Sequence, residues 1–176
     1  MIELQIQDFQ QNQKLYLAQK EQLSKHLGHS VDINHIGSTA IPNMVGKNII
    51  DILIGANNKV EFEKFRQLLI EFGFFASQNS KTDFYQFFAS QTGETKYGDI
   101  HLHLVIKNTE RYDEFLILKE YLLNNPDEAQ NYSSFKQKII NEGILDRKLY
   151  RSTKSEYVTA LINRAKEYFH YKEKHQ

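Results

Sequence analysis

The sequence predicts a mixed α/β (α+β) fold: a small mixed β-sheet with flanking helices and a C-terminal helical bundle. Three observations predict it. Short runs at 31–36, 48–55 and 98–106 are alternating or continuously apolar, as strands are. Between the second and third of them, apolar residues recur at helical spacing. Beyond residue 109 the chain reads as helix, with marked helix starts. A length of 176 residues suffices to bury a substantial core. No internal repeat, low-complexity segment or linker interrupts it, so one domain over residues 1–176 is expected.

Each element has its own signal. Residues 8–27 carry Tyr16, Leu23 and Leu27 on one helical stripe, and Gly28 stands where the helix should end. Val31-Asp32-Ile33-Asn34-His35-Ile36 alternates as a strand and breaks at Gly37-Ser38-Thr39, with Pro42 and Gly46 punctuating the loop that follows. Ile49-Ile50-Asp51-Ile52-Leu53-Ile54 has the pattern of a buried strand interrupted by one carboxylate. Phe62, Phe65, Leu69 and Phe72 predict an amphipathic helix over 59–72 that stops near Gly73. Residues 83–90 and 98–106 predict two antiparallel strands joined across Gln91-Thr92-Gly93-Glu94. In the second strand Ile100, Leu102, Leu104 and Ile106 share one face, and Asp99, His101 and His103 share the other. Three closing helices are expected to start at Thr109, at Asn125-Pro126-Asp127-Glu128 and at Thr153-Lys154-Ser155-Glu156, the last resembling a capping box.

Composition narrows the functional classes. The chain has no Cys, so disulfides and thiolate metal sites are excluded. The N-terminal Met1-Ile2-Glu3-Leu4-Gln5 has no basic leader followed by an apolar run, and no later stretch is long enough to span a bilayer. A cytoplasmic protein with no membrane partner is expected. The 22 Lys+Arg balance the 22 Asp+Glu, which argues against a nucleic-acid partner. Charge is uneven locally: Lys136, Lys138, Arg147, Lys148, Arg151 and Lys154 are interrupted only by Glu142 and Asp146. That segment is either a solvated helix face or part of an anion site.

Gly37 and Ser38, leaving a strand, form a turn that can approach a phosphate, because glycine has no Cβ and serine adds a hydroxyl donor to the nearby N–H groups. Asp51 follows on the next strand. It is anomalous there, since a carboxylate among apolar neighbours is costly without a partner.

The run His35-Ile36-Gly37-Ser38-Thr39-Ala40-Ile41-Pro42, followed by Gly46-Lys47-Asn48-Ile49-Ile50-Asp51-Ile52, resembles the signature of the GrpB family, also found appended to some bacterial dephospho-CoA kinases. The resemblance extends through Asp99-Ile100-His101-Leu102-His103-Leu104 and Leu118-Lys119-Glu120-Tyr121-Leu122 to Tyr132, Lys136, Tyr150 and Lys154. It implies the nucleotidyltransferase-like fold of the polymerase-beta superfamily. There the Gly-Ser turn holds nucleotide phosphates, and two acids at i and i+2 on the next strand hold divalent metal. Residues i and i+2 share a strand face, so two carboxylates can bridge the ions of phosphoryl transfer. This chain departs from that pattern, with Leu53 at the second acid position.

The expected site therefore has Asp51 as catalytic acid, and Gly37, Ser38, Lys47, Lys119, Lys136 and Lys154 around the phosphates. Asp51 with His101 and His103 is the candidate metal set, for Mg, Mn or Zn, imidazole favouring the transition metals. The bland alternative makes the two histidines hydrogen-bonded crevice residues. His35 is expected to brace the Gly-Ser turn from behind. The leading function is binding of a nucleotide or other phosphorylated small molecule, extended by metal-dependent nucleotidyl transfer. The rivals are a non-catalytic module with a protein partner and a transition-metal hydrolase using Asp51, His101 and His103.

Overall fold

The computed structural model describes residues 3–90, 99–144 and 146–175. Asp8 opens the first helix by accepting the Gln11 N–H at 3.0 Å, and α1 (Phe9–Leu27) ends at Gly28 as the stripe predicts. Strands β2 (Asp32–Ile36) and β4 (Ile50–Ala56) follow, separated by a 3₁₀ turn, Ser38–Ala40. Two short strands, β1 (Gln5–Ile6) and β3 (Val45–Gly46), pair with each other as a separate ribbon. Asn58 caps α2 (Lys59–Glu71) through the Glu61 N–H. Then come β5 (Phe74–Lys81), β6 (Tyr85–Ser90) and β7 (Ile100–Ile106). Helices α3 (Glu110–Asn124), α4 (Pro126–Asn141) and α5 (Arg147–His175) close the fold.

The main sheet has the order β2-β4-β7-β6-β5. Only β4 and β7 run parallel, so the sheet is mixed, as the sequence predicts. On one face Ile50, Ile52, Ile54, Leu102 and Leu104 pack against Leu23 and Leu27 of α1 and Phe62, Phe65 and Leu69 of α2. Each such side chain contributes roughly 1.5–3 kcal/mol by leaving water. On the other face Ile36, Leu53 and Val105 lie under Tyr112 of α3. A further cluster joins Ile41 and Met44, from the loop after β2, to Tyr121, Leu122, Tyr132, Leu161 and Ala165 of the three closing helices.

One element is added to those expected, one expectation is corrected and one lies out of reach. Strand β5 was not expected, because Ser77-Gln78-Asn79-Ser80 has no apolar alternation; it is an edge strand whose partner is β6 alone. Helix α5 begins at Arg147, not Thr153. Asp146 caps it by accepting the Leu149 N–H at 2.8 Å, and Thr153 Oγ1 instead donates back to the Leu149 carbonyl at 3.0 Å. The join across Gln91-Thr92-Gly93-Glu94 lies outside the described residues. Strands β6 and β7 on either side of it pair antiparallel as predicted. Among the described residues no helix is long and apolar enough to cross a membrane.

Candidate functional site

The antiparallel pairing of β2 with β4 puts Ile36 opposite Asp51, so the chain leaves β2 beside the acid. Gly37 has φ 72°, a left-handed value, and a Cβ there would overlap Asp51 Oδ2. From the other side β3 approaches: a Cβ on Gly46 would lie 2.8 Å from the Ser38 Cβ. Two glycines thus let the Ser38 turn sit between the acid-bearing strand and β3.

The parallel pairing of β4 with β7 sets His101 opposite Asp51 and His103 opposite Leu53. Asp51 Oδ1 lies 3.3 Å from His101 Nδ1 and 3.8 Å from His103 Nε2. Burial raises the Asp51 pKa, but hydrogen bonds from the two imidazoles and their charge outweigh it and hold the carboxyl well below its usual range. His103 is enclosed: its Nδ1 is 3.1 Å from the Tyr85 hydroxyl, and the rings of Phe87 and Phe115 lie 5.4 and 4.8 Å from its own. Burial pushes its pKa down, against the pull of Asp51. Leu53, where the resemblance leads one to look for a second acid, is fully buried with Ile36, Val105 and Tyr112.

Two helices supply Lys136 and Lys154, and the loop after β3 supplies Lys47. Lys136 on α4 is 2% exposed, and its ammonium donates to Ser38 Oγ at 3.0 Å and to the Val45 carbonyl. It also lies 4.5 Å from the Tyr132 ring centre. Ser133, beside it, accepts the Val45 N–H at 3.0 Å, which ties α4 to β3. Burial, with repulsion from Lys154, pushes the Lys136 pKa down to about 7 against the attraction of Asp51. Lys154 on α5 is likewise pushed down by burial, opposed by Asp51 and reinforced by Arg151. Lys47 packs its ammonium 4.6 Å from the Tyr150 ring centre. Burial raises the Tyr150 hydroxyl to about 12, so it stays a neutral donor. Together these groups line a crevice of about 130 Å³.

The structure therefore brings Ser38, Lys47, Asp51, His101, Lys136 and Lys154 into one crevice, with Gly37 against Asp51. His103 adjoins the crevice but is roofed by aromatic rings. His35 stands behind it, stacked on Tyr16 at 4.6 Å, with Nε2 3.0 Å from Thr39 Oγ1 and Nδ1 2.9 Å from Gln13 Oε1. Burial and then Lys119 push its pKa down to about 4, against Asp51, so the ring is neutral. Its Nδ1–H donates to Gln13 Oε1, while the Thr39 hydroxyl beside its Nε2 donates to the Ile49 carbonyl at 3.3 Å. Lys119, expected at the phosphates, is not in the crevice lining; it is half-buried on α3 and acts on His35. Tyr132 and Tyr150 line the crevice and were not singled out as site residues. Their signal was available: Tyr132/Lys136 and Tyr150/Lys154 repeat one pair at i, i+4 on two helices.

Three lysines face one carboxylate in the lining among the described residues, so the crevice suits an anion. It suits a resident metal poorly. Asp51 Oδ1 faces two imidazoles, the carboxylate packs closely against Gly37, and the described residues hold no group of three His, Asp or Glu arranged to bind a metal ion.

Fold and site define a mixed α+β protein with a cationic crevice where a Gly-Ser turn meets an acid-bearing strand. The chain belongs to the GrpB family, whose defining pattern, described as GrpB protein, matches residues 3–164. Glutamate-rich protein GrpB of Alkalihalophilus pseudofirmus is 30% identical over 153 residues, covering 85% of this chain and 88% of that one. The crystal structure of conserved protein GrpB from Enterococcus faecalis superposes with a TM-score of 0.80 at 20% identity, over 95% of this chain and 99% of that one. The poly(U) polymerase Cid1 with MgGTP bound overlaps 68% of this chain and 39% of its own, at TM-score 0.47 and 14% identity. That is a partial likeness of shape.

Proposed function

We propose that the crevice binds a phosphorylated small molecule of the nucleotide class by its phosphate groups. Lys136 carries this reading. A buried cation with no ion-pair partner within 4 Å among the described residues is costly, and a second cation, Lys154, lies close enough to depress it further. An anion seated against Ser38 would turn that repulsion into attraction, through charge-assisted hydrogen bonds of about 1.5–3 kcal/mol each. The space enclosed, about 130 Å³, is below the roughly 300–1,000 Å³ of pockets that engulf a drug-sized ligand. It fits phosphate groups, with the rest of the ligand outside.

Because Asp51 is engaged by protein groups, a divalent cation belongs to this reading as a companion of the ligand, chelated by its phosphates. Thermal unfolding with inorganic pyrophosphate, nucleoside triphosphates and coenzyme A precursors, each with and without Mg²⁺, Mn²⁺ and Zn²⁺, tests it. A ligand at a hundred times its Kd stabilises by about 2.7 kcal/mol, which raises Tm by roughly 5–10 °C for a chain of this size. No shift with any of these anions overturns the reading. The burial of Leu53 favours a second reading, binding without transfer. A pyrophosphate-release assay separates the two: release that vanishes in Asp51→Asn supports transfer, and stabilisation without release supports binding alone.

A further inference from the structure

Strand pairing sets Asp51 opposite His101, His101 opposite Ala89, and Ala89 opposite Phe75. Directly paired residues share a sheet face, so these four stand in one row across β4, β7, β6 and β5. In the next row on that face Phe87 stands opposite His103. Neighbouring strands lie about 4.8 Å apart, which puts Ala89 roughly 10 Å from Asp51. The row therefore runs from the cationic crevice out to the edge of the sheet. Helix cover stops partway along this face. Phe115 of α3 packs against His103, and Arg111 of the same helix lies 5.3 Å from the Tyr85 ring centre. Beyond them, Phe75, Phe87 and Ala89 enter none of the apolar clusters that the helices form among the described residues. Phe75 is 61% exposed, and Phe87 and Ala89 are partly so. A lone exposed ring is ordinary, but here two phenyl rings border an alanine in register with a charged crevice. Ala89 contributes only a methyl group, so the face is recessed between Phe75, Phe87 and His101. Phe87 is held in place by the rings of His101 and His103, which it meets steeply at 4.9 and 5.4 Å.

We propose that the recess over Ala89, between Phe75 and Phe87, receives the base of a nucleotide whose phosphates occupy the crevice. The inference rests on the phosphate-binding reading and supplies what that reading leaves outside the crevice. A space of about 130 Å³ accommodates phosphate groups, so the base must lie beyond it. The ribose spans the strand between them. A flat ring lowered onto Ala89 gains dispersion contact with both phenyl groups over its whole width, whereas a flexible chain would lose entropy to fill the same space. Three side chains are too small a patch for a protein partner, which covers about 800 Å² on each side of a standard interface. Stacking of this kind is tolerant of base identity, because every base has a π-face. The recess thus selects nucleotides over bare polyphosphates without reading which base is present.

The test compares ATP and UTP with inorganic tripolyphosphate by calorimetry on the full chain, all in excess Mg²⁺. Tripolyphosphate has the same three phosphates and at least as much charge, so any preference for the nucleotides comes from the nucleoside. The expected advantage of each nucleotide is about five- to a hundredfold, the range for one base stacked on an aromatic side chain. Phe75→Ala and Phe87→Ala should each remove most of it while leaving tripolyphosphate affinity within about twofold of wild type. Because the chain has no Trp, Phe75→Trp installs a single indole at the exposed rim of the recess. Its emission should be quenched by ATP and unchanged by tripolyphosphate. A wild-type advantage below about twofold for both nucleotides, an advantage that survives both alanine variants, or indole emission indifferent to ATP overturns the inference. Tripolyphosphate binding without a nucleotide advantage leaves the phosphate reading standing and removes the base site. Absence of binding by all three anions removes both.

Discussion

On one face of β4 and β7 the side chains are Ile50, Ile52, Ile54, Leu102 and Leu104, and they meet only other apolar groups of the core. One residue along on the same strands are Asp51, Leu53, His101 and His103. The contrast shows how a single pair of strands serves two purposes: alternation lets adjacent residues obey opposite rules. The core face needs volume and dryness. The site face needs charge, held by partners on several elements. The two faces should therefore respond oppositely to substitution, the first in stability and the second in binding.

The largest expected effect is on the core face. Leu102→Ala should destabilise the protein by about 2–5 kcal/mol through lost burial and the cavity left behind. Pyrophosphate affinity of the folded fraction should stay within about twofold, read by denaturant unfolding and calorimetry. A comparable loss of affinity would mean that the faces are coupled.

Lys136→Met should do the reverse, stabilising the fold while abolishing anion binding. Between about pH 7 and the usual lysine range, the unfolded chain holds a proton that folded Lys136 has released, so wild-type stability rises with pH across that window. The variant should lose this slope. It should be more stable than wild type by roughly 2–4 kcal/mol near pH 6, and the advantage should be gone by about pH 10–11. Wild-type anion affinity should fall as pH rises above about 7, because the ammonium is the form that binds.

Asp51→Asn should keep the fold and destabilise it by on the order of 1–2 kcal/mol at neutral pH. A depressed carboxyl pKa contributes stability above the unfolded-state value and loses it as pH falls through the folded one. Wild type and variant should accordingly converge in acid, as seen in denaturant midpoints across pH. The smallest effect is expected for Tyr85→Phe, which removes the hydroxyl partner of His103 Nδ1: about 1 kcal/mol in stability and no change in pyrophosphate affinity.

Where local pattern and tertiary environment agree, the sequence is transparent. The apolar run around Asp51 and the alternation around His101 identify two neighbouring strands and the face their polar residues share. Strand β5 was opaque because an edge strand with Gln78 and Asn79 exposed in succession has no pattern to show. The capping box at Thr153 misled because a cap signal is local, and Asp146 provides the same service two turns earlier. At the site, Asp51 was legible as a carboxylate in an apolar strand. Lys136 was legible only through resemblance: no feature of its own helix says that the ammonium reaches a serine on a distant loop. For Lys119 likewise, its place on the resembling helices says nothing about which side of α3 meets the crevice.

The Lys136–Ser38 contact closes over 98 residues and the Ser133–Val45 contact over 88. Pairings across such spans are ordered late, because the entropy of the intervening loop must be lost before the contact forms. The acid and imidazole pair needs only the sheet, but Lys136 and Lys154 arrive with α4 and α5. During synthesis the nascent chain would thus hold Asp51 and both histidines well before it could retain an anion. Ligand capture would then mark the moment at which the closing helices dock.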